Sequence, residues 1–258
     1  MDGIVFLMYH ELELPGRPLC QTDPGYVRYI LTAADFESQV KWLQTAAWQG
    51  FNVSAALEFP ADRGVVITFD DGCETDLLAA APILQAAAFQ ATFYITTGFL
   101  GRPGYLAPHQ LRALSELGFE VGCHSMTHAY LPDLTTDGLH REMVEAKDKL
   151  EQIIGNQVQH FSCPGGRYDQ PVIEMARNAG YRTLATSRAH ANSRRTSAFE
   201  LGRIAIMRET SLDAFERICR NQTLWRLRLI DITRSAMKRV LGNSTYDKAR
   251  ARLLERDE

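Results

Sequence analysis

Short apolar runs alternate with amphipathic, helix-spaced segments along residues 4–220, and that alternation narrows the folds open to this chain. Residues 4–9, 65–69, 91–95, 119–123, 159–163, 181–186 and 203–207 read as strands. Between them, 33–49, 76–88, 108–117, 139–154, 171–179 and 212–220 read as helices; Phe36, Val40, Leu43 and Ala47 mark the apolar face of the first. Gly118, Gly155 and Gly180 stand where helices stop. Repeated strand–helix units imply a parallel sheet with helices outside it. A barrel is favoured over an open sheet because chemically active residues recur at the C-terminal ends of separate strands. These are His10, Asp70-Asp71, His124 and the turn Pro164-Gly165-Gly166. The expectation is an α/β protein, a distorted (β/α) barrel of about seven strands over residues 1–220, with a C-terminal helical tail over 221–258.

Charge separates these two parts. Residues 220–258 carry ten Lys/Arg against five Asp/Glu, so the net charge of −3 hides an acidic body and a basic tail. An acidic body argues against nucleic acid as a partner. In the tail, Leu224, Leu227, Ile230, Met237, Val240 and Leu241 recur at helical spacing among Arg226, Arg228, Arg234, Lys238 and Arg239. Such a helix either packs on the barrel or makes peripheral contact with an anionic membrane surface. The opening Met1-Asp2-Gly3-Ile4-Val5-Phe6 lacks a basic leader and a long apolar stretch, so a cytoplasmic location is expected, at the inner membrane face if the tail binds lipid. Five cysteines, odd in number and without a CxxC pair, argue against a disulfide framework.

The chemistry gathers at two strand ends. Val65-Val66-Ile67-Thr68-Phe69 runs into Asp70-Asp71-Gly72, which sets two adjacent carboxylates at the lip of a core strand. Neighbouring strand residues face opposite ways, but a sharp bend at Gly72 brings both into one cleft. About fifty residues on, His124-Ser125-Met126-Thr127-His128 sets two imidazoles at i and i+4, on one face if a helical turn starts there. One carboxylate and two histidines give three ligands for a divalent metal with positions left open. Non-haem iron oxygenases use the same set. The second Asp beside the ligand favours hydrolysis, because an activated water needs a nearby proton acceptor.

Thr68-Phe69-Asp70-Asp71-Gly72 and His124-Ser125-Met126-Thr127-His128, in this order and separation, resemble the first two motifs of the polysaccharide deacetylases with the NodB homology domain, carbohydrate esterase family 4. The resemblance runs over roughly residues 3–220 and includes Met8-Tyr9-His10. It implies metal-dependent removal of N-acetyl or O-acetyl groups from a sugar, polysaccharide or glycolipid precursor. By position it implies Asp70 as general base and Asp71, His124 and His128 as metal ligands; the expected metal is a divalent ion, zinc or another transition metal. The third family motif, Arg-Pro-Pro-Tyr-Gly, is only partly kept in Ser162-Cys163-Pro164-Gly165-Gly166. Gly165 is assigned the backbone N–H that faces the developing oxyanion. Ser162 replaces the Arg that orients the base, and Arg167 is the nearest substitute in sequence.

No histidine from the later family motifs is recognisable, since Arg203-Ile204-Ala205-Ile206 fills the last strand. His10 is the preferred general acid and His190 the second; His109, His140 and His160 read as surface or helix residues. Cys73, Cys123 and Cys163 read as small side chains packed behind the site. A cytoplasmic setting makes a lipid-linked or nucleotide-linked acetylated sugar the expected substrate. The alternatives are a C–N hydrolase for a small non-sugar amide and a catalytically silent carbohydrate-binding barrel.

Overall fold

A computed structural model describes residues 3–58, 63–224 and 228 of the chain. In chain order the strands are β1 (Val5–Tyr9), β2 (Leu12–Glu13), β3 (Leu31–Thr32), β4 (Gln49–Phe51), β5 (Gly64–Phe69), β6 (Thr92–Ile95), β7 (Glu120–Cys123), β8 (His160–Ser162), β9 (Thr183–Ala185) and β10 (Ile204–Ala205). β2 and β3 pair with each other. The rest form one parallel sheet in the order β10-β1-β5-β6-β7-β8-β9, with β4 also against β5. Residues 201–205 bring the ends together: Leu201 bridges Ala185, while Ile204 and Ala205 pair with Leu7 and Met8. The result is the expected distorted (β/α) barrel, in which β7 meets β8 at the single register pair Cys123↔Phe161 and the Ala185–Leu201 bridge joins the ends.

The strands are apolar throughout because both faces are covered. Val65, Ile67 and Phe69 join the outer core under the helices, where Tyr9, Phe69, Phe93 and Phe119 form a chain of ring contacts at 5.1–5.4 Å. Phe6, Val66, Tyr94, Ala185 and Leu201 fill a separate inner core. The two-residue period of β5 therefore carries the inner face from Val66 through Thr68 to Asp70.

The helices depart from expectation at their ends. The first runs Ala33–Thr45, capped by Thr32 Oγ1 accepting the Asp35 N–H, and stops short of residue 49. Ala47 turns left-handed (φ +58°), and Gln49–Phe51 becomes β4 instead. Gly50 permits this, since a Cβ there would lie 2.8 Å from both Ile67 and Phe89. The strong helical spacing of 33–47 masked a three-residue strand too short to show a period of its own. A wider turn occupies Asp76–Ala80 ahead of the helix Ala81–Ala86, and another, Arg141–Glu145, lies within the run that ends at Gly155.

Among the described residues no helix is long and apolar enough to cross a membrane. The final described helix, Leu212–Cys219, is followed by Leu224, buried in the outer core. Of the basic helical tail expected over residues 221–258, residues 225–227 and 229–258 lie outside the described residues.

Candidate active site

Asp70 continues the inward face of β5, and its N–H donates to Tyr9 O (3.0 Å). By alternation Asp71 would face the outer core. It does not, because Asp71 itself adopts φ +81°, as does Gly72. Asp tolerates this conformation better than most residues. The reversal thus begins one residue before the glycine, and both carboxylates end up buried beside the same cleft.

The histidine segment forms no helical turn, contrary to the reading from i, i+4 spacing. Ser125 and His128 take φ +68° and +64°, so the segment is a tight irregular loop. Ser125 Oγ accepts the His128 N–H (3.0 Å), and the buried Glu142 carboxylate accepts from Met126 N, Thr127 N and Thr127 Oγ1 at 2.7–2.9 Å. His124 follows β7 and donates through Nδ1 to Ser162 O (2.8 Å). That bond fixes the tautomer and leaves the Nε2 lone pair facing the carboxylates.

His124 Nε2 stands 3.7 Å and His128 Nε2 3.5 Å from Asp71 Oδ1, and the three ligand atoms lie within 4.8 Å of one another. Donors about 2.1 Å from a tetrahedral ion sit roughly 3.4 Å apart. Asp71 Oδ1 is buried with no hydrogen-bond partner, an expensive state for a carboxylate unless a cation sits beside it. The residues fit a divalent metal. Burial lowers the His124 pKa to about 4, against the raising field of Asp70, so the ring is neutral and free to ligate at neutral pH.

Asp70 is treated differently. Arg203 donates to Asp70 Oδ1 through Nη1 (2.7 Å) and to Oδ2 through Nη2 (2.8 Å). The remaining guanidinium donors reach Thr68 Oγ1 (3.2 Å), Ser162 Oγ (2.7 Å) and, from Nε, Thr186 O (3.0 Å). All five N–H groups of a fully buried Arg are used. Burial pushes the Asp70 carboxyl up, but Arg203 and then His124 outweigh it and hold it well below the usual carboxylate range.

The orienting cation is therefore Arg203 and not Arg167, whose guanidinium stacks 3.5 Å from the Tyr130 ring centroid. Ser162, small where the resembled motif has Arg, leaves space for a guanidinium arriving from the strand at residue 203. Sequence reading passed over Arg203 while searching that strand for a histidine. Its signal was present: a charge opening an apolar strand needs a buried partner.

His10, just past β1, packs against Tyr29 (5.0 Å between centroids) and keeps an unpartnered buried Nδ1. Tyr9 pairs with Phe69, so His10 and Asp70 leave neighbouring strands at the same level; burial lowers the His10 pKa, while the fields of Asp71 and Asp70 raise it. Gly165, after β8, sits at φ +60°, where a Cβ would lie a tight 3.0 Å from the Tyr130 ring. His190 lies in the loop beside Gly202, its Nδ1 donating to Ala191 O. His109 and His140 are exposed as expected, but His160 is buried in β8.

Residues 59–184 match the sequence model of the polysaccharide deacetylase family. YxkH of Bacillus subtilis is 27% identical over 187 residues, which cover 70% of this chain and 67% of that protein. The Bacillus cereus peptidoglycan-N-acetylglucosamine deacetylase is 29% identical over 49% of this chain and 57% of its own length. The chain thus spans about half to two thirds of such curated relatives. The Streptococcus pyogenes deacetylase PplD, solved in complex with acetate, shares the fold at a TM-score of 0.76 and 22% identity, covering 85% of this chain and 99% of that one. Family match and motif positions agree over residues 59–184, which carry a polysaccharide deacetylase (NodB homology) domain like that of carbohydrate esterase family 4, and the barrel topology is the one such deacetylases share.

Proposed function

We propose that this protein is a metal-dependent hydrolase that removes acetyl groups from an N-acetylated sugar. The observation that carries this reading is the contrast inside one cleft: Asp70 is clamped by Arg203, while Asp71, His124 and His128 converge with an orphaned carboxylate oxygen between them. The deacetylase activities named for the relatives support the same class of reaction.

Asp71, His124 and His128 would hold the metal, with zinc suited to a mixed nitrogen and oxygen set. When bound, the ion supplies Lewis acidity at the acetyl carbonyl and lowers the pKa of a water toward neutrality. Asp70 takes the proton of the attacking water. Held ionised by Arg203, Asp70 is a weak base, so it depends on that water being acidified. Gly165 donates its N–H to the developing oxyanion. A proton must then reach the leaving amine, from His10 or from Asp70 itself. Because burial keeps His10 neutral, it acts as an acid only after taking up the proton during the cycle.

Arg203 also answers one of the two reasons for reading the barrel as silent, the altered third motif, since Asp70 has its orienting cation; the missing histidine acid is the other. The test is acetate release from N-acetylglucosamine oligomers by wild type and Asp70→Asn. A loss of roughly 10²–10⁴-fold with metal content retained is expected. Undiminished release by Asp70→Asn would refute the assigned base. A metal-loaded wild type inactive on every acetylated sugar would favour the small-amide reading.

A further inference from the structure

Cys73 follows the catalytic turn directly, and the structure surrounds it with partners that packing alone does not explain. One ligand atom each from Glu11, Cys20 and Cys73 lies within 4.8 Å of the other two. Glu11, adjacent to His10 and buried, accepts the Cys20 N–H with both carboxylate oxygens at 3.0 Å. Cys20 Sγ reaches Gly104 O (3.0 Å), and a Cβ on Gly104 would stand 2.8 Å from that sulfur. Cys73 Sγ lies 3.4 Å from Tyr26 Oη.

A second observation concerns Asp76, one helical turn beyond Cys73, whose N–H donates to Cys73 O (3.0 Å). It is 1% exposed, and neither carboxylate oxygen has a hydrogen-bond partner. Burial pushes its carboxyl up, and the fields of Asp71, Cys20 and Glu11 push further, a crowding of acidic groups that a cation held by Glu11, Cys20 and Cys73 would relieve. Cys20 and Cys73 are both free thiols.

We propose that Glu11, Cys20 and Cys73 form a second metal centre that takes a thiophilic divalent cation of the zinc class. Two sulfur ligands select zinc, cobalt or cadmium over magnesium and calcium. Three protein ligands leave the fourth tetrahedral position to water. On binding, the two thiols release their protons to solvent as two metal–sulfur bonds form, so loading strengthens with rising pH. Cys20, half-buried, is the side from which the ion is admitted. The centre shares no ligand with Asp71, His124 or His128. Its effect on them is mechanical: it ties the Asp70-Asp71-Gly72-Cys73 turn to the loops carrying Cys20 and Gly104. It does not depend on the deacetylase reading.

The full chain, purified under reducing conditions and loaded with cobalt, tests this. Near-ultraviolet thiolate-to-cobalt charge transfer is expected in wild type, retained in His124→Ala and abolished in Cys20→Ala. With zinc, mass spectrometry should find two equivalents per wild-type chain and one in each variant. Should Cys20→Ala fail to fold, wild type and His124→Ala decide, because the charge-transfer band needs thiolate ligands. No band in wild type, or a band undiminished in folded Cys20→Ala, overturns the proposal. So does an unreduced chain lighter by two hydrogens with Cys20 and Cys73 protected from alkylation.

Discussion

Each end of the barrel buries a carboxylate beside a histidine, and the two ends treat the pair in opposite ways. At the N-terminal end, Glu120 opens β7 and His160 opens β8. Glu120 accepts from Val53 N, Ser54 N and Thr92 Oγ1, while His160 contacts Ser54 Oγ and Thr183 Oγ1 at 2.8 Å each and stands 3.3 Å from Glu120. Both rings of contacts are complete. At the C-terminal end, Asp71 Oδ1 and His10 Nδ1 have no hydrogen-bond partner, although both are buried. A satisfied polar cluster holds the barrel together; an unsatisfied one is held open for something the chain itself does not supply. Within the C-terminal end, Asp70 belongs to the satisfied kind. It is the bridge between the two regimes, a working carboxylate fixed as rigidly as a structural one.

Arg203→Met tests that bridge most severely. It leaves Asp70 buried without its counter-charge, and breaking such a pair costs about 3–5 kcal/mol. Urea unfolding should show a loss of that size, with acetate release falling as the base loses its orientation. Arg203→Lys should recover little, since an ammonium cannot make two parallel bonds to the carboxylate. A change below about 1 kcal/mol in Arg203→Met would place the pair with weak surface bridges and dissolve the comparison.

Glu120→Gln probes the opposite end. It removes one acceptor from a complete cluster, and leaving buried donors short costs about 1–3 kcal/mol. Stability should fall by that amount, while acetate release per folded molecule stays at the wild-type level. A drop in turnover with unchanged stability would mean that the floor of the barrel reaches the chemistry, and the division between the ends would fail.

The sequence showed one end of this comparison far better than the other. Strand runs and motif residues were legible because period and local spacing are written in neighbouring positions. The Asp70–Arg203 clamp is 133 residues long in sequence and joins two strands that meet only when the ring closes. The floor cluster was missed for a related reason: His160 reads as a polar residue in Gln159-His160-Phe161, and nothing local announces Ser54, Thr183 and Glu120 around it. The β4 strand was hidden behind a helical pattern that continues past the point where Ala47 ends the helix. Glu11, Cys20 and Cys73 come from three separate stretches of chain, so they look like unrelated packing residues until they are folded together.

The smallest expected effect is a pH dependence at the open end. His124 has a folded pKa of about 4 against 6.5 in the unfolded chain, because burial disfavours its charged form. Between those values the unfolded chain binds a proton that the folded one refuses, so stability falls as pH drops from 6.5 toward 4, by at most about 1.4 kcal/mol per pH unit. His10 is shifted the same way. Glu120, lowered from 4.5 by His160 against the effect of burial, loses its contribution only below that value. Glu11 and Asp76, raised by burial, oppose the histidines, so the informative quantity is a difference between two proteins. Urea midpoints of chelator-treated wild type and His124→Gln, taken from pH 6.5 to 4.5, should converge as the pH falls, because only wild type carries the His124 penalty. Parallel curves would mean that His124 protonates as readily in the barrel as in the unfolded chain. The open end would then be as well solvated as a surface, and its unpartnered atoms would no longer mark a site waiting for a metal.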